Sequence, residues 1–211
     1  RVEKDRSAKH FEKYPMWKFW RPRPELNHAA MGLSRLLVTA HVSKHFLFNW
    51  IAPFSLPSNL LIVVASESDV DFGVLQSTTH RIWALAQGTQ LEDRPRYTPT
   101  TCFETFPFPL PASDVTEAIA AAAKELDELR KAWLNPPEWV KEEVLEFPGA
   151  LDGPWTRYVV EPDARGIGTV RWPRLVPRDA ECATKVAKRT LTNLYNERPA
   201  WLDLAHRKLD A

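Results

Sequence analysis

Between Phe72 and Leu110 the chain changes its periodicity twice, and few folds accommodate both changes. Phe72, Leu75, Thr79, Ile82, Trp83 and Leu85 recur at near-helical spacing, which predicts a helix over 72–87 with one apolar face. Gly88 to Arg96 then carries Gln90, Glu92, Asp93, Arg94 and Arg96 and offers almost nothing to bury. From Tyr97 the β-branched and aromatic residues return, predicting a strand over 97–104. Phe106-Pro107-Phe108-Pro109 ends it, because proline has no N–H to give to a strand ladder.

A chain of 211 residues can bury one sizeable core or two small ones. The formal charge of +1 excludes general polyanion binding as an inference from net charge. Its distribution is uneven. Residues 1–50 hold ten Lys/Arg against four Asp/Glu, residues 51–150 seven against fifteen, and residues 151–211 eleven against eight. Basic ends flank an acidic middle, which is compatible with a local nucleic-acid-facing surface. Cys102 and Cys182 have no Cys or His partner at metal-ligand spacing, so buried free thiols in a reducing cytoplasm are expected. The longest apolar run, Leu60 to Ala65, is too short to span a bilayer, and no signal peptide is evident. The start at Arg1 and the end at Ala211, inside a helical pattern, suggest a piece of a longer protein.

Taken in order, residues 1–24 look like a connector from a preceding domain. Trp17, Phe19 and Trp20 run into Arg21-Pro22-Arg23-Pro24, where a helix must break. A short helix is expected over Glu25–Arg35, then strands over Leu36–Ala40, Phe46–Ile51 and Leu60–Ala65, the last buried on both faces. His41 and His45 sit in the turn between the first two strands, with no nearby carboxylate or cysteine to complete a metal site. Asp69 is the expected N-cap of the Phe72 helix. After Pro111, the residues Val115, Ile119, Ala122, Leu126, Leu129 and Trp133 form a heptad seam, capped by Asp114 and stopped by Pro136-Pro137. Beyond it a short acidic helix is expected over Trp139–Phe147. Loose strands follow around Tyr158–Val160 and Gly168–Trp172, then a helix from Asp179 to about Tyr195, and another with Pro199 at its first position. The expected fold is α+β: a twisted, mostly antiparallel sheet built from 36–65 and 97–104, with packed helices. The 113–135 helix is expected to leave that body as an arm, followed by a smaller C-terminal region at 136–211.

The segments F-G-V-L-Q-S (72–77), R-Y-T-P-T-T-C-F-E-T-F-P-F-P (96–109) and the stretch from Leu191 to Ala211 resemble, in order and spacing, one known family. It is the target recognition domain of large single-chain, type IIG-like adenine-specific restriction–modification methyltransferases. A more distant likeness is to the specificity subunits of type I restriction systems, whose equivalent long helix is a spacer packed on a partner helix. The resemblance implies a recognition domain over 25–112, double-stranded DNA as partner, and a methyltransferase domain elsewhere in the parent that uses S-adenosylmethionine. It also implies a DNA-facing set made of Lys44, His45, Gln90, Glu92, Arg94, Arg96, Tyr97 and Thr98. Where the family leads an expectation of Pro-Arg before Ser43-Lys44-His45, this chain has Ala40-His41, so no arginine contact is expected there.

The residue types in the 90–98 loop are compatible with the base reading that the resemblance implies. Arginine matches guanine O6/N7, glutamine matches adenine N6/N7, and glutamate accepts from cytosine N4. A solvated loop with internal Glu–Arg pairs is the competing reading. Catalysis finds no support in the residues. Asn135-Pro136-Pro137-Glu138 imitates the Asn-Pro-Pro-aromatic loop of adenine methyltransferases but has Glu138 in place of the ring and lacks a glycine-rich cofactor loop before it. Ser77 and His80 have no carboxylate partner, and Gly166-Ile167-Gly168 is too short for a phosphate loop. The chain is therefore expected to be non-catalytic and to bind no cofactor itself. The alternative is a protein–protein interaction module that docks another subunit through the heptad helix, with helix-mediated self-association as one form of it.

Overall fold

The computed structural model describes residues 23–53, 55, 57–91, 94–110 and 112–211. The connector aromatics Trp17, Phe19 and Trp20 lie outside the described residues, as do Glu92 and Asp93. The fold is α+β.

Helix α1 (Pro24–Ala30) is shorter than expected, because Gly32 adopts φ +84° and turns the chain toward the sheet. Strands β1 (Leu36–Ala40), β2 (Asn49–Ile51) and β3 (Leu61–Val64) form an antiparallel sheet of order β2-β1-β3. Leu37 stands opposite both Trp50 and Val64. Central β1 is buried, whereas edge strand β3 is only half-buried, so its apolar run does not mark two covered faces as expected.

The expected 72–87 helix is two helices, α2 (Asp69–Gln76) and α3 (Thr78–Gln87), with extended backbone at Ser77 between them. The Ser77 hydroxyl explains the break. It donates to the Val74 carbonyl at 2.7 Å and accepts from the His80 N–H at 3.1 Å, closing one helix and capping the next. Ser68, not Asp69, caps α2. Asp69 instead faces the Arg35 guanidinium at 2.8 Å.

Gly88 leads into a short antiparallel hairpin, β4 (Thr89–Leu91) and β5 (Arg94–Arg96). No strand follows over 97–104. Residues Pro99–Phe103 coil into a π-helical turn, which lets Tyr97 and Cys102 both reach the core.

The long helix α4 (Ser113–Leu134) forms as the heptad spacing predicts, but it is no arm. Ala122, Ala123 and Leu126 are buried against α2 and against the C-terminal helix α7 (Ala200–Asp210). Ala112 holds the N-cap position without a side-chain bond, and Asp114 lies in the first turn instead, where its charge complements the helix dipole. Close packing is set by Gly73, where an added Cβ would stand 2.7 Å from Cγ2 of Ile119. Arg130 then ties three segments together. Its Nη2 donates to the Phe48 carbonyl at 2.8 Å, and its Nη1 shares the Gln76 Oε1 acceptor with the Phe48 N–H. The rings of Phe72 and Tyr195 flank it at 5.6 and 5.8 Å.

Residues 139–147 are not helical. Strand β6 (Val140–Ala150) pairs along its whole length with β8 (Ile167–Pro177), and β7 (Val159–Val160) adds to the other side of β8. Past this ribbon the expected 179–195 helix divides into α5 (Ala180–Ala187) and α6 (Leu191–Glu197), each with its own cap, Asp179 and Thr190. Pro199 is the N-cap residue of α7 rather than its first position. Arg189, between α5 and α6, lies over the rings of Trp133 and Trp139 at 4.6 and 4.5 Å, which docks this region on the end of α4.

Candidate nucleic-acid interface

The β4–β5 hairpin projects an exposed ribbon from a buried base. Thr89, Gln90, Leu91, Arg94 and Arg96 are exposed, while Tyr97, one residue further, is wholly buried. Two features make this abrupt change possible. Gly88 has no side chain at a point where a Cβ would meet the Ala84 and Arg96 carbonyl oxygens at 2.6 and 2.9 Å. Tyr97 is enclosed by edge-on contacts to Phe46 and Phe48, and its hydroxyl lies 3.1 Å from Nε2 of His80.

The turn after β1 lies alongside the hairpin. Val42 bridges Arg96, the Ser43 N–H donates to the Pro95 carbonyl at 3.2 Å, and the Tyr97 N–H donates to the His41 carbonyl at 2.8 Å. Arg96 Nε donates to His41 Nε2 at 3.0 Å, which places the imidazole proton of His41 on Nδ1. Lys44 Nζ donates to Asn196 Oδ1 at 2.8 Å, and His45 Nε2 donates to the same oxygen at 3.1 Å. The backbone therefore presents Gln90, Arg94, Arg96, Lys44 and His45 on adjoining segments.

Two cations of this surface, Arg96 and Lys44, are oriented without ion pairs among the described residues. Arg96 is held by a neutral imidazole and Lys44 by a neutral amide; among the described residues neither faces a carboxylate. Elsewhere arginines are neutralised, as in Arg171–Glu146, Arg174–Glu143 and Arg198–Asp203. Cations oriented by uncharged partners keep their charge for an external anion.

Two expected contacts change role. Tyr97 belongs to the core and offers no surface, and Thr98 is half-buried, its carbonyl accepting from the Cys102 N–H at 2.7 Å as the turn begins. Glu92 lies outside the described residues. The sequence reading missed Asn196, whose partners are more than 150 positions away and leave no local signal. It also missed His80 as the support for the hairpin, although the residue stood out in the sequence.

Asn135-Pro136-Pro137-Glu138 closes the long helix. Asn135 ends α4, its Nδ2 donating to the Lys131 carbonyl at 3.4 Å, and Arg178 occupies the Pro137 carbonyl. Among the described residues no group of three or more His, Cys, Asp or Glu is placed to hold a metal, and no helix is long and apolar enough to cross a membrane.

The family model described as "MmeI, target recognition domain" matches residues 3–110. The solved structure of the type IIL restriction–modification enzyme MmeI in complex with DNA shares the fold, with a TM-score of 0.56 and 21% sequence identity. That likeness covers 84% of this chain and 17% of the enzyme's chain. None of the curated proteins matches. Because the family match spans more than half of the chain, and includes the hairpin, the turn and their buried supports, this chain belongs to the MmeI target recognition domain family.

Proposed function

We propose that the chain reads the sequence of double-stranded DNA for a site-specific, adenine-specific methyltransferase of a restriction–modification system. The observation that carries this reading is the exposed β4–β5 ribbon with its adjoining turn, whose cations Arg96 and Lys44 are aimed by neutral partners. A two-stranded ribbon fits the major groove, where Arg94 and Arg96 can address guanine and Gln90 adenine. Glu92 is the candidate acceptor for cytosine N4, and Lys44 and His45 address the sugar–phosphate backbone. Methyl transfer belongs to a methyltransferase domain of a longer parent, which supplies S-adenosylmethionine; the recognition chain itself binds none. The free thiols of Cys102 and Cys182 fit the reducing cytoplasm in which such an enzyme works.

Self-association through the long helix has less support, since the middle of its apolar seam, at Ala122 and Leu126, is buried within the chain.

The test is selection of bound duplexes from a random-sequence pool, with affinities measured across a salt series. Arg94→Ala and Arg96→Ala should each relax the choice of base at one position, at about 1–3 kcal/mol. Lys44→Ala should weaken every duplex alike and flatten the salt dependence. Salt-insensitive binding, or one unchanged preferred sequence for all three variants, defeats the proposal.

A further inference from the structure

We propose that Asn196 extends the DNA-facing surface beyond the recognition segment onto helix α6, as the positioning residue that holds Lys44 toward a backbone phosphate of the duplex. This rests on the DNA-reading function proposed above. The family match ends at residue 110, so α6 lies on a part of the chain to which that match assigns nothing.

Hydrogen-bond chemistry fixes the arrangement. A lysine ammonium has donors only, so the Asn196 atom 2.8 Å from Lys44 Nζ must be the amide oxygen. The same oxygen lies 3.1 Å from His45 Nε2, which therefore carries the proton. Both lone pairs of Oδ1 are then engaged, and the two Nδ2 hydrogens point away from the pair with no protein partner among the described residues. Asn196 and Lys44 are both exposed. The backbone of α6 is not free to drift, because Leu194 is fully buried and the Tyr195 ring packs 5.8 Å from that of His45.

The identity of the partner decides between a brace and a ligand site. A brace between two segments is strongest as an ion pair, and this corner of the molecule uses one two residues on, where Arg198 meets Asp203 at 2.5 Å. At Lys44 the chain has an amide instead. An amide orients the ammonium and takes up one of its three hydrogens without cancelling its charge. That suits a cation awaiting a phosphodiester oxygen, and the Asn196 Nδ2 hydrogens supply neutral donors beside it.

Asn196→Asp separates the two roles, because it strengthens the contact while neutralising Lys44. Duplex binding by the 211-residue chain would be measured across a salt series for wild type, Asn196→Asp, Lys44→Ala and the double variant, with thermal denaturation alongside. Asn196→Asp should unfold no earlier than wild type, yet bind all duplexes more weakly. Its plot of log affinity against log salt should be shallower by about 0.9, the loss of one phosphate contact, as for Lys44→Ala. Adding Asn196→Asp to Lys44→Ala should then change little. Wild-type affinity and slope for Asn196→Asp would make the contact a brace and overturn the proposal. A loss that persists undiminished in the Lys44→Ala background would also overturn it, since the new carboxylate would then act by direct repulsion. Absence of salt-sensitive binding by the wild type would remove the DNA-reading function and this inference together, whereas the first two outcomes remove only the inference.

Discussion

Tyr97 donates its phenolic hydrogen to Nε2 of His80 across 3.1 Å, and both side chains are fully buried. His80 Nδ1 donates to the Leu75 carbonyl at 2.8 Å and so carries the one ring proton, which makes His80 neutral in a single tautomer. Burial holds the His80 pKa below and the Tyr97 pKa above their ordinary values, which keeps the pair uncharged at neutral pH. Tyr97→Phe keeps the ring and its packing but leaves Nε2 buried without a donor. We expect a loss of about 1–3 kcal/mol in urea denaturation, with faster amide exchange in β4 and β5. A change below about 0.5 kcal/mol would show that the bond contributes nothing net.

Stability should fall on acidification between about pH 6.5 and pH 4. Desolvation first, and then the positive charge of Arg130, lowers the pKa of His206 from 6.5 to about 4. Within that window the unfolded chain binds a proton that the folded chain refuses, so the contribution is complete above pH 6.5 and lost as pH falls through 4. The effect is on the order of 3 kcal/mol at most. His80 acts in the same direction. A His206→Gln variant should show a flatter stability profile from pH 7 to pH 4; a profile parallel to wild type would remove His206 as its source.

Arg130 is 1% exposed, and among the described residues no carboxylate is paired with it. Arg130→Ala removes its volume and the donor to the Phe48 carbonyl, and should cost about 3–5 kcal/mol. Arg130→Met refills most of the space without burying a charge, so part of that loss should return. If methionine is no better than alanine in chemical denaturation, the guanidinium bonds rather than packing hold this junction.

Gly88→Ala should destabilise, although the φ of −74° at Gly88 is one that alanine adopts without strain. The new methyl group would stand under 3.0 Å from two backbone oxygens, one on α3 and one on β5, so the chain itself must move. We expect a loss of about 1–3 kcal/mol, with altered amide shifts confined to residues 84–97 in NMR spectra. A neutral or stabilising effect would contradict this account of the close approach.

The elements most legible in the sequence were those decided locally. The seam from Val115 to Trp133 specifies a helix whatever surrounds it, and Asp179 caps α5 through the N–H three residues on. Its surroundings were not legible, because a heptad face packs equally well on a partner or on its own α2 and α7. Lys141-Glu142-Glu143-Val144-Leu145-Glu146 has helix-forming residues yet is a strand, since pairing along the whole of β8 outweighs propensities of a few tenths of a kcal/mol per residue. The aromatic, β-branched run after Arg96 reads as a strand, but Tyr97 and Cys102 reach the same core only if 99–103 coil tightly. At the candidate site the exposed cations were legible from their loop, whereas Asn196 depends on a contact no local pattern encodes.

In the hairpin, exposed side chains line strands whose ends are pinned by Gly88 and Tyr97. Substitution at Gln90, Arg94 or Arg96 removes almost no buried area, so selection for stability leaves those positions nearly unconstrained. A lineage built on this chain can thus drift through many ribbon surfaces while its folded fraction stays constant. The ribbon tolerates substitution that the two pins do not.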